Sequence, residues 1–569
     1  KIRLNGIDVH QSAEAFTANG RRFPPGSWVI RMDQAFAALV KELFEVQSYP
    51  DLRDFPEGPP DLPYDVAGWT LPLQMGVDVT AVSKPLEEGF VSRLQRLDRV
   101  VPPPGSVQGR GTVFAFSHSS NSAVKAVNEI LGAGGKVVVD QSIGAIRPGA
   151  KPEYGAFSAS GLSRSEMEGI ASRHSLQVQA DSRQPSKSWT VRLPRVGLYR
   201  SWVASIDEGW TRWLLEDYGF NPESAYNADL QAGRLGDRFD VLLIADTRPQ
   251  SILEGQAAGT IPAEFAGGIG AKGLENLIQF VQQGGTLITF NNASLFAIEQ
   301  FNLPVENVLK DLKNEEFFCS GSLLKVEFPE DSDHPILTGM PSRPAVMFQR
   351  GPAFKAKADF QGRGALASYP KERNPLLSGY ILNPEKIQGA AALMDVAFGK
   401  GRVILFGFRP QWRGQSHGTY MLIFNALHYF GESVQPGPAA EETARGVQLE
   451  LWNELKDSIR KDFKGLIGAN RASRQAGGTA AVEERKRLDA LIERFQKERL
   501  EELEELREAL QPPAREKMTE YISRLKNLLV DIRGKDLTGV DYTPQDLATH
   551  YSLQPLEKEI TTALGAAQK

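Results

Sequence analysis

Cysteine is almost absent: Cys319 is the single one in 569 residues, so no disulfide can form within the chain. Histidine is sparse too, with seven residues. No His-Glu-x-x-His helix and no His-x-x-Glu pair with a distant third histidine occurs among them, which removes the familiar zinc-ligand patterns. Uninterrupted apolar runs fall well short of the ~20 residues that span a bilayer. Neither sign of charge dominates: 65 basic and 70 acidic side chains leave a net charge of −5. A general nucleic-acid binder would need a basic face to replace phosphate counterions, so that class is not expected. The chain opens at Lys1 with no signal-peptide pattern, and we expect a fragment or a processed product of a longer protein.

What is present is an ordinary globular composition, 41% hydrophobic and 24% charged, over a length that calls for several domains. Residues 1–100 read as an α/β segment. It has a strand at Ile7-Asp-Val-His10, a Pro24-Pro25-Gly26 turn into a second strand at 27–30, and helical spacing of Phe36, Leu39, Val40 and Leu43 over 33–45. Prolines punctuate residues 49–72 as an extended connection. Residues 101–192 read as a small α/β unit, with a strand at 113–116, a helix at 121–131 closed by glycines, and a strand at 136–140. Gly6-Ile-Asp-Val-His-Gln-Ser12 resembles Gly135-Lys-Val-Val-Val-Asp-Gln-Ser142; duplication and chance both explain the likeness.

Residues 193–432 carry the clearest pattern. Val196-Gly-Leu-Tyr199, residues 240–246, Thr286-Leu-Ile-Thr-Phe290 and Gly401-Arg-Val-Ile-Leu-Phe-Gly407 are apolar strands separated by helices at 206–218, 271–283 and 419–430. That alternation indicates a parallel sheet covered on both faces. Residues 320–398, richer in short strands, are expected to form an inserted or edge subregion. The tail, 433–569, reads as a low-complexity loop at 469–481 followed by helices at 482–511 and 514–533 around the break Pro512-Pro513. A helical hairpin is expected there over a coiled-coil arm, because the apolar register slips near Arg499.

Ligands of open parallel sheets bind beyond the carboxyl ends of the strands. Those ends place Tyr199, Arg200 and Trp202 on one loop, Asp246 and Arg248 on a second, Asn291 and Asn292 on a third, and Arg409 through Arg413 on a fourth. The third and fourth loops resemble class I glutamine amidotransferase-like domains, which implies a doubly wound, flavodoxin-like fold. In that family a strand-to-helix elbow exposes a cysteine; here the turn is Asn291-Asn292-Ala293-Ser294, and Ser294 lies too far into the helix to replace it. The family's last strand delivers a Phe-His-Pro-Glu run, and the matching run here is Phe408-Arg409-Pro410-Gln411. Arginine stays protonated and cannot act as a general base, and glutamine carries no charge. Nucleophile, base and acid are all replaced, so no catalytic residue is assigned.

Other candidates weigh toward structure. Ser205 and Glu208 have capping-box spacing, and Trp210, Trp213 and Leu214 fall at helical spacing. The functional alternative puts Trp202 and Asp207 at a pocket mouth facing Arg409 and Arg413. Cys319 reads as a buried thiol, His334 as part of a turn, and Gly267-Gly-Ile-Gly270 fits no phosphate-loop spacing.

Three long blocks widen the resemblance. They are Pro24-Pro-Gly-Ser-Trp-Val-Ile30 with residues 63–76, the run from Val196 to Trp210, and the run from Gly401 to Gln415. Together they resemble the C-terminal half of large bacterial zinc carboxypeptidases of the carboxypeptidase A type. The resemblance implies a secreted or periplasmic parent whose zinc sits in an upstream peptidase domain, the expected partner of this chain. No zinc ligand, substrate-carboxylate arginine or catalytic glutamate carries over, so no cofactor is expected within these residues. Two functions remain open. One is a non-catalytic accessory region of such a peptidase. The other is a binding module holding a small anionic or sugar-like ligand, with Trp202, Asp207, Asn291, Asn292, Arg409, Gln411 and Arg413 as the binding set. No nucleic acid and no membrane span are expected.

Overall fold

The computed structural model describes residues 2–50, 52–56, 58–140, 156–182, 185, 188–329, 332, 334–341, 344–358, 360, 362–431, 438–510, 512–534 and 553–565, without the side chains of 363, 438–447, 450 and 509. The protein is a mixed α/β molecule with parallel and antiparallel sheets and a helical C-terminal region.

The first hundred residues have little regular structure. Strand His10–Gln11 lies between Trp28–Val29 and Gln95–Arg96 in a small antiparallel sheet. Phe16–Ala18 and Arg21–Phe23 form a hairpin. Its turn residues Asn19 and Gly20 both have positive φ (46° and 73°), the conformation a two-residue hairpin loop demands. Helix Ala37–Phe44 matches the expected spacing and buries Val40. The segment is tied to the rest of the chain where Thr70 Oγ1 meets Ser378 Oγ at 2.8 Å and Gln47 N donates to Ser378 Oγ at 3.0 Å.

Residues 106–191 form a six-stranded sheet, ordered Ser188–Val191, Lys136–Asp140, Ala156–Ser160, Val113–Ser117, Gln177–Asp181, Ser106–Gly109. Its pairs are antiparallel except the last. Helix Asn121–Gly132 buries Val124, Val127 and Ile130 and stops at Gly134, whose φ of 86° favours glycine. His10–Gln11 and Lys136–Asp140 occupy sheets of different build, so their surroundings lend duplication no support; Gln141 and Ser142 lie outside the described residues.

The central sheet has nine strands. Five are parallel, in the order Glu223–Ala225, Val196–Tyr199, Val241–Ile244, Thr286–Phe290, Gly401–Phe406. Alternate side chains face two cores. Leu198, Leu243, Ile288 and Phe406 pack with helices Ile206–Asp217 and Tyr420–His428 on one face. Leu242, Ile244, Leu287 and Leu405 pack with helices Gly270–Gln282 and Ala293–Gln300 on the other. With both faces covered, every position of a strand is buried, which is why these strands read as unbroken apolar runs. The sheet is only half parallel, however. Ala391–Phe398 adds antiparallel to Gly401–Phe406 and in turn pairs with Phe354–Ala356 and Gly362–Ser368. Ser322–Lys325, Ala345–Phe348 and Leu376–Ser378 form a separate small sheet within the expected 320–398 subregion.

The tail holds more helix than a hairpin. The expected pair is present as Gly478–Phe495 continuing through Glu501–Ala509, followed by Ala514–Gly534. Helices Pro438–Gln475 and Leu553–Gly565 complete their core through Trp452, Ile459, Phe463, Leu556 and Ile560. The low-complexity stretch is helical as far as Gln475, and only Ala476 and Gly477 break it. The register slip near Arg499 has a direct cause: Gln496–Leu500 is a π-turn, whose wider hydrogen-bond ring inserts an extra residue into the helix.

Candidate functional site

The carboxyl ends of the parallel strands converge on one buried charged cluster. Helix Ile206–Asp217 starts with Ser205 as N-cap, its Oγ accepting from Glu208 N at 3.3 Å. The Glu208 side chain turns to Arg212 (2.6 Å) and does not close the reciprocal box. Asp207 and Glu208 sit in the first turn, where the helix dipole favours acids. Asp207 points inward with its side chain 4% exposed, and Asp246, two residues past strand Val241–Ile244, is 10% exposed.

Arg409 lies between these two acids. Its Nη1 donates to Asp207 Oδ2 at 3.1 Å, and its Nη2 donates to Asp246 Oδ2. Asp246 Oδ1 accepts from Asn291 Nδ2 (3.1 Å), Asn292 N (2.9 Å) and Asn292 Nδ2 (3.0 Å). Gln411, fully buried, donates to Thr211 Oγ1 at 3.0 Å. Burial lifts the Asp207 carboxyl to about 7; Arg409 pulls it down and the nearby Asp246 carboxylate pushes it up. The Asp207 carboxyl therefore titrates near neutrality beside the permanent Arg409 cation.

Strand Thr286–Phe290 passes into helix Ala293–Gln300 through a tight two-residue turn. Asn291 has a φ of 52°, a region asparagine tolerates better than most residues. Its amide reaches Asp246 and Gln349 O, not solvent. Gly351 permits this packing: a Cβ there would stand 2.3 Å from Asn291 Oδ1 and 2.4 Å from Gly407 O. Ser294, the hydroxyl nearest the turn, is buried and bonded to Thr289 O (3.2 Å) and Phe406 O (3.0 Å). A hydroxyl so enclosed has no path to a substrate.

Five of the seven residues taken as a binding set, Asp207, Asn291, Asn292, Arg409 and Gln411, thus come together. Two do not. Arg413, at a φ of 50°, is exposed and stacks 4.4 Å over the Trp412 ring. Trp202 stands in a separate aromatic group with Tyr226 and Phe265. The Trp210–Leu214 stripe is also divided: Leu214 is core, Trp210 packs near Trp412, and Trp213 is half exposed. Asp246 is the hub of the cluster, although the sequence marks it only as one of several loop residues. Thr211 and Gln349 join it without a local signal.

The remaining candidates resolve as structural groups. Cys319 is buried and its thiol is pushed up to about 12, so it is no thiolate near neutrality. His334 caps the turn Pro335–Leu337 and bonds Asp395 Oδ2 at 3.0 Å, beside Arg402 at 2.9 Å. Among the described residues no group of three or more His, Cys, Asp or Glu side chains is placed to hold a metal ion.

No protein-family model and no curated protein matches the chain. Solved structures give matches with a TM-score of 0.25. One is a β-galactosidase from Bacillus circulans sp. alkalophilus, at 12% identity over 42% of this chain and 31% of that one. Another is a Thermoplasma acidophilum protein described as part of a GMP synthase, at 13% identity over 41% of this chain and 94% of that one. A third is the exo-β-1,4-mannosidase Op5Man5 from Opitutaceae bacterium strain TAV5, at 11% identity over 42% of this chain and 37% of that one. This chain therefore spans about a third of the β-galactosidase it matches. Likenesses at this level carry no argument about function.

Proposed function

We propose that this chain is a non-catalytic accessory region of a zinc-carboxypeptidase-like protein, built around a doubly wound, amidotransferase-like sheet without its triad. The observation that carries the reading is the placement of Arg409. It stands where the resembled family places its histidine base, and it is held between Asp207 and Asp246. Those three side chains and Gln411 meet at the strand ends, the turn carries Asn291, and the Ser294 hydroxyl that follows it is enclosed. The parallel strand order, with the second strand outside the first, supports the flavodoxin-type reading.

The first hundred residues support the accessory role. Of the twenty large hydrophobics that stand exposed among the described residues, thirteen lie between Leu4 and Val101, including Trp28, Met32, Phe36, Phe55 and Tyr64. A concentration of exposed apolar side chains in one segment favours a partner there, and an adjoining peptidase domain would cover it. A secreted or periplasmic site for the parent belongs to the same proposal. Among the described residues no helix is long and apolar enough to cross a membrane. The rival reading, an anionic or sugar-like ligand within the crevice itself, has less support because the Arg409 cluster occupies that space.

The test is zinc content and carboxypeptidase activity of the purified 569-residue chain beside the full-length product of its gene. Zinc and activity confined to the longer protein are expected. Stoichiometric zinc or peptide cleavage by this chain alone would overturn the proposal.

A further inference from the structure

A second group of side chains at the carboxyl ends of the parallel strands is built differently from the charged cluster. Trp202, on the loop after strand Val196–Tyr199, is 42% exposed and stacks on Tyr226 with ring centroids 5.1 Å apart and planes inclined by 21°. The Phe265 ring meets it edge-on at 4.8 Å and is itself 37% exposed. Three loops thus contribute one ring each to a platform open to water at the ligand-binding end of the sheet.

The platform is held in advance of any ligand. Arg200 N donates to Ala225 O at 2.9 Å, pinning the Trp202 loop beside the Tyr226 loop. The buried Asn227 accepts from Tyr199 Oη at 2.8 Å and donates to Gly267 O at 3.0 Å, joining the Phe265 loop to both. Rigid aromatic rings presented this way bind with little ordering cost.

Charge narrows the class of occupant. Arg200, exposed and 6.0 Å over the Tyr226 ring, and the exposed Arg248 on the adjacent loop have no carboxylate partner among the described residues. An anion is therefore favoured, in contact with a flat apolar face. We propose that the Trp202–Tyr226–Phe265 platform and Arg200 form a binding site for a saccharide bearing a carboxylate, such as a uronic acid unit. The C–H face of the sugar ring lies on the indole, and the carboxylate pairs with the Arg200 guanidinium. The site leaves the Asp207–Arg409–Asp246 cluster intact and does not depend on the peptidase reading.

The experiment is calorimetric titration of the purified protein with tetragalacturonate in low-salt buffer, with maltotetraose and AMP in parallel. Saturable binding of tetragalacturonate is expected. It should weaken at least about tenfold in Trp202→Ala, several-fold in Arg200→Gln, and with added salt. Both side chains are at the surface, so the variants should fold, and an unchanged unfolding transition checks that they do. No saturation up to ~10 mM, undiminished binding by Trp202→Ala, equal affinity for maltotetraose, or tighter binding of AMP would each overturn the assignment.

Discussion

Two polar assemblies are buried against the same parallel sheet, and they are built on opposite principles. At the strand ends the protein buries charge, with Arg409 between Asp207 and Asp246. Behind the closing helix Tyr420–His428 it buries neutral rings. His118 Nε2 and Asn425 Oδ1 are 2.9 Å apart, and His428 Nε2 and Asn128 Oδ1 are also 2.9 Å apart. This second assembly is a reciprocal clasp, since the six-stranded unit supplies His118 and Asn128 and the closing helix supplies Asn425 and His428. Burial pushes His118 down to about 4 and His428 down to about 3. A buried charge needs a counter-charge, whereas an imidazole can shed its charge and settle for one amide partner. The two assemblies should therefore respond in opposite directions to pH and unequally to mutation.

The largest difference is expected from Arg409→Met. It leaves Asp207 and Asp246 facing each other without a cation, a loss of about 3–5 kcal/mol on the scale of broken buried pairs. Urea unfolding at pH 8 measures it, and a loss below about 1 kcal/mol would mean that the cluster is better hydrated than its burial implies.

Acid should open the contrast next. His118 and His428 bind protons in the unfolded chain at the ordinary value of 6.5 but not in the fold until about 4 and 3. Their contribution is complete above pH 6.5 and falls by about 1.4 kcal/mol per pH unit for each ring below it. Asp207, raised to about 7 from 3.8, works the other way: its contribution is complete below pH 3.8 and is lost as pH rises through 7. Two histidines against one aspartate leave a net loss of about 3 kcal/mol between pH 6.5 and 4. Unfolding curves across that range should show it, and a His118→Gln variant should show a shallower fall.

Gly351→Ala tests the packing under the elbow. The new methyl would meet Asn291 Oδ1 and Gly407 O well inside contact distance, so a loss of roughly 1–3 kcal/mol is expected. Asp207→Asn removes the opposing titration, and the stability gap between pH 8 and pH 5 should widen by about 2.5 kcal/mol. An unchanged gap would take the raised carboxyl out of the account. Smallest of all, Cys319 should not react with Ellman's reagent at pH 8 until the protein is unfolded, because its thiol is buried and raised.

How far these features can be read in the sequence follows from how local their signals are. The parallel strands are legible because burial on both faces makes each an apolar run, as in Val241–Ile244. The gathering of Asn291, Arg409 and Gln411 is legible because all three stand just beyond the carboxyl ends of parallel strands. The antiparallel half of the sheet is not: Gly362–Ser368 and Phe354–Ala356 are short, and their pairing is set by distant partners. Helix Pro438–Gln475 is masked by its Pro/Ala start and by Gly465 and Gly468, although Trp452, Ile459, Phe463 and Leu466 keep helical spacing. The hub role of Asp246, and the joining of Thr211 and Gln349, arise only when four strand ends meet. The isolation of Trp202 and Arg413 from that hub depends on loop geometry that composition does not encode.

The most direct test of the account is a double-mutant cycle between Asp207 and Arg409 at pH 8, using Asp207→Asn, Arg409→Met and the pair. The account treats the crevice as closed by an internal charge cluster, and it predicts a coupling of roughly 1.5–3 kcal/mol. Effects that add to within about 0.5 kcal/mol would show the two side chains to be independent, and the closed-crevice account would be contradicted.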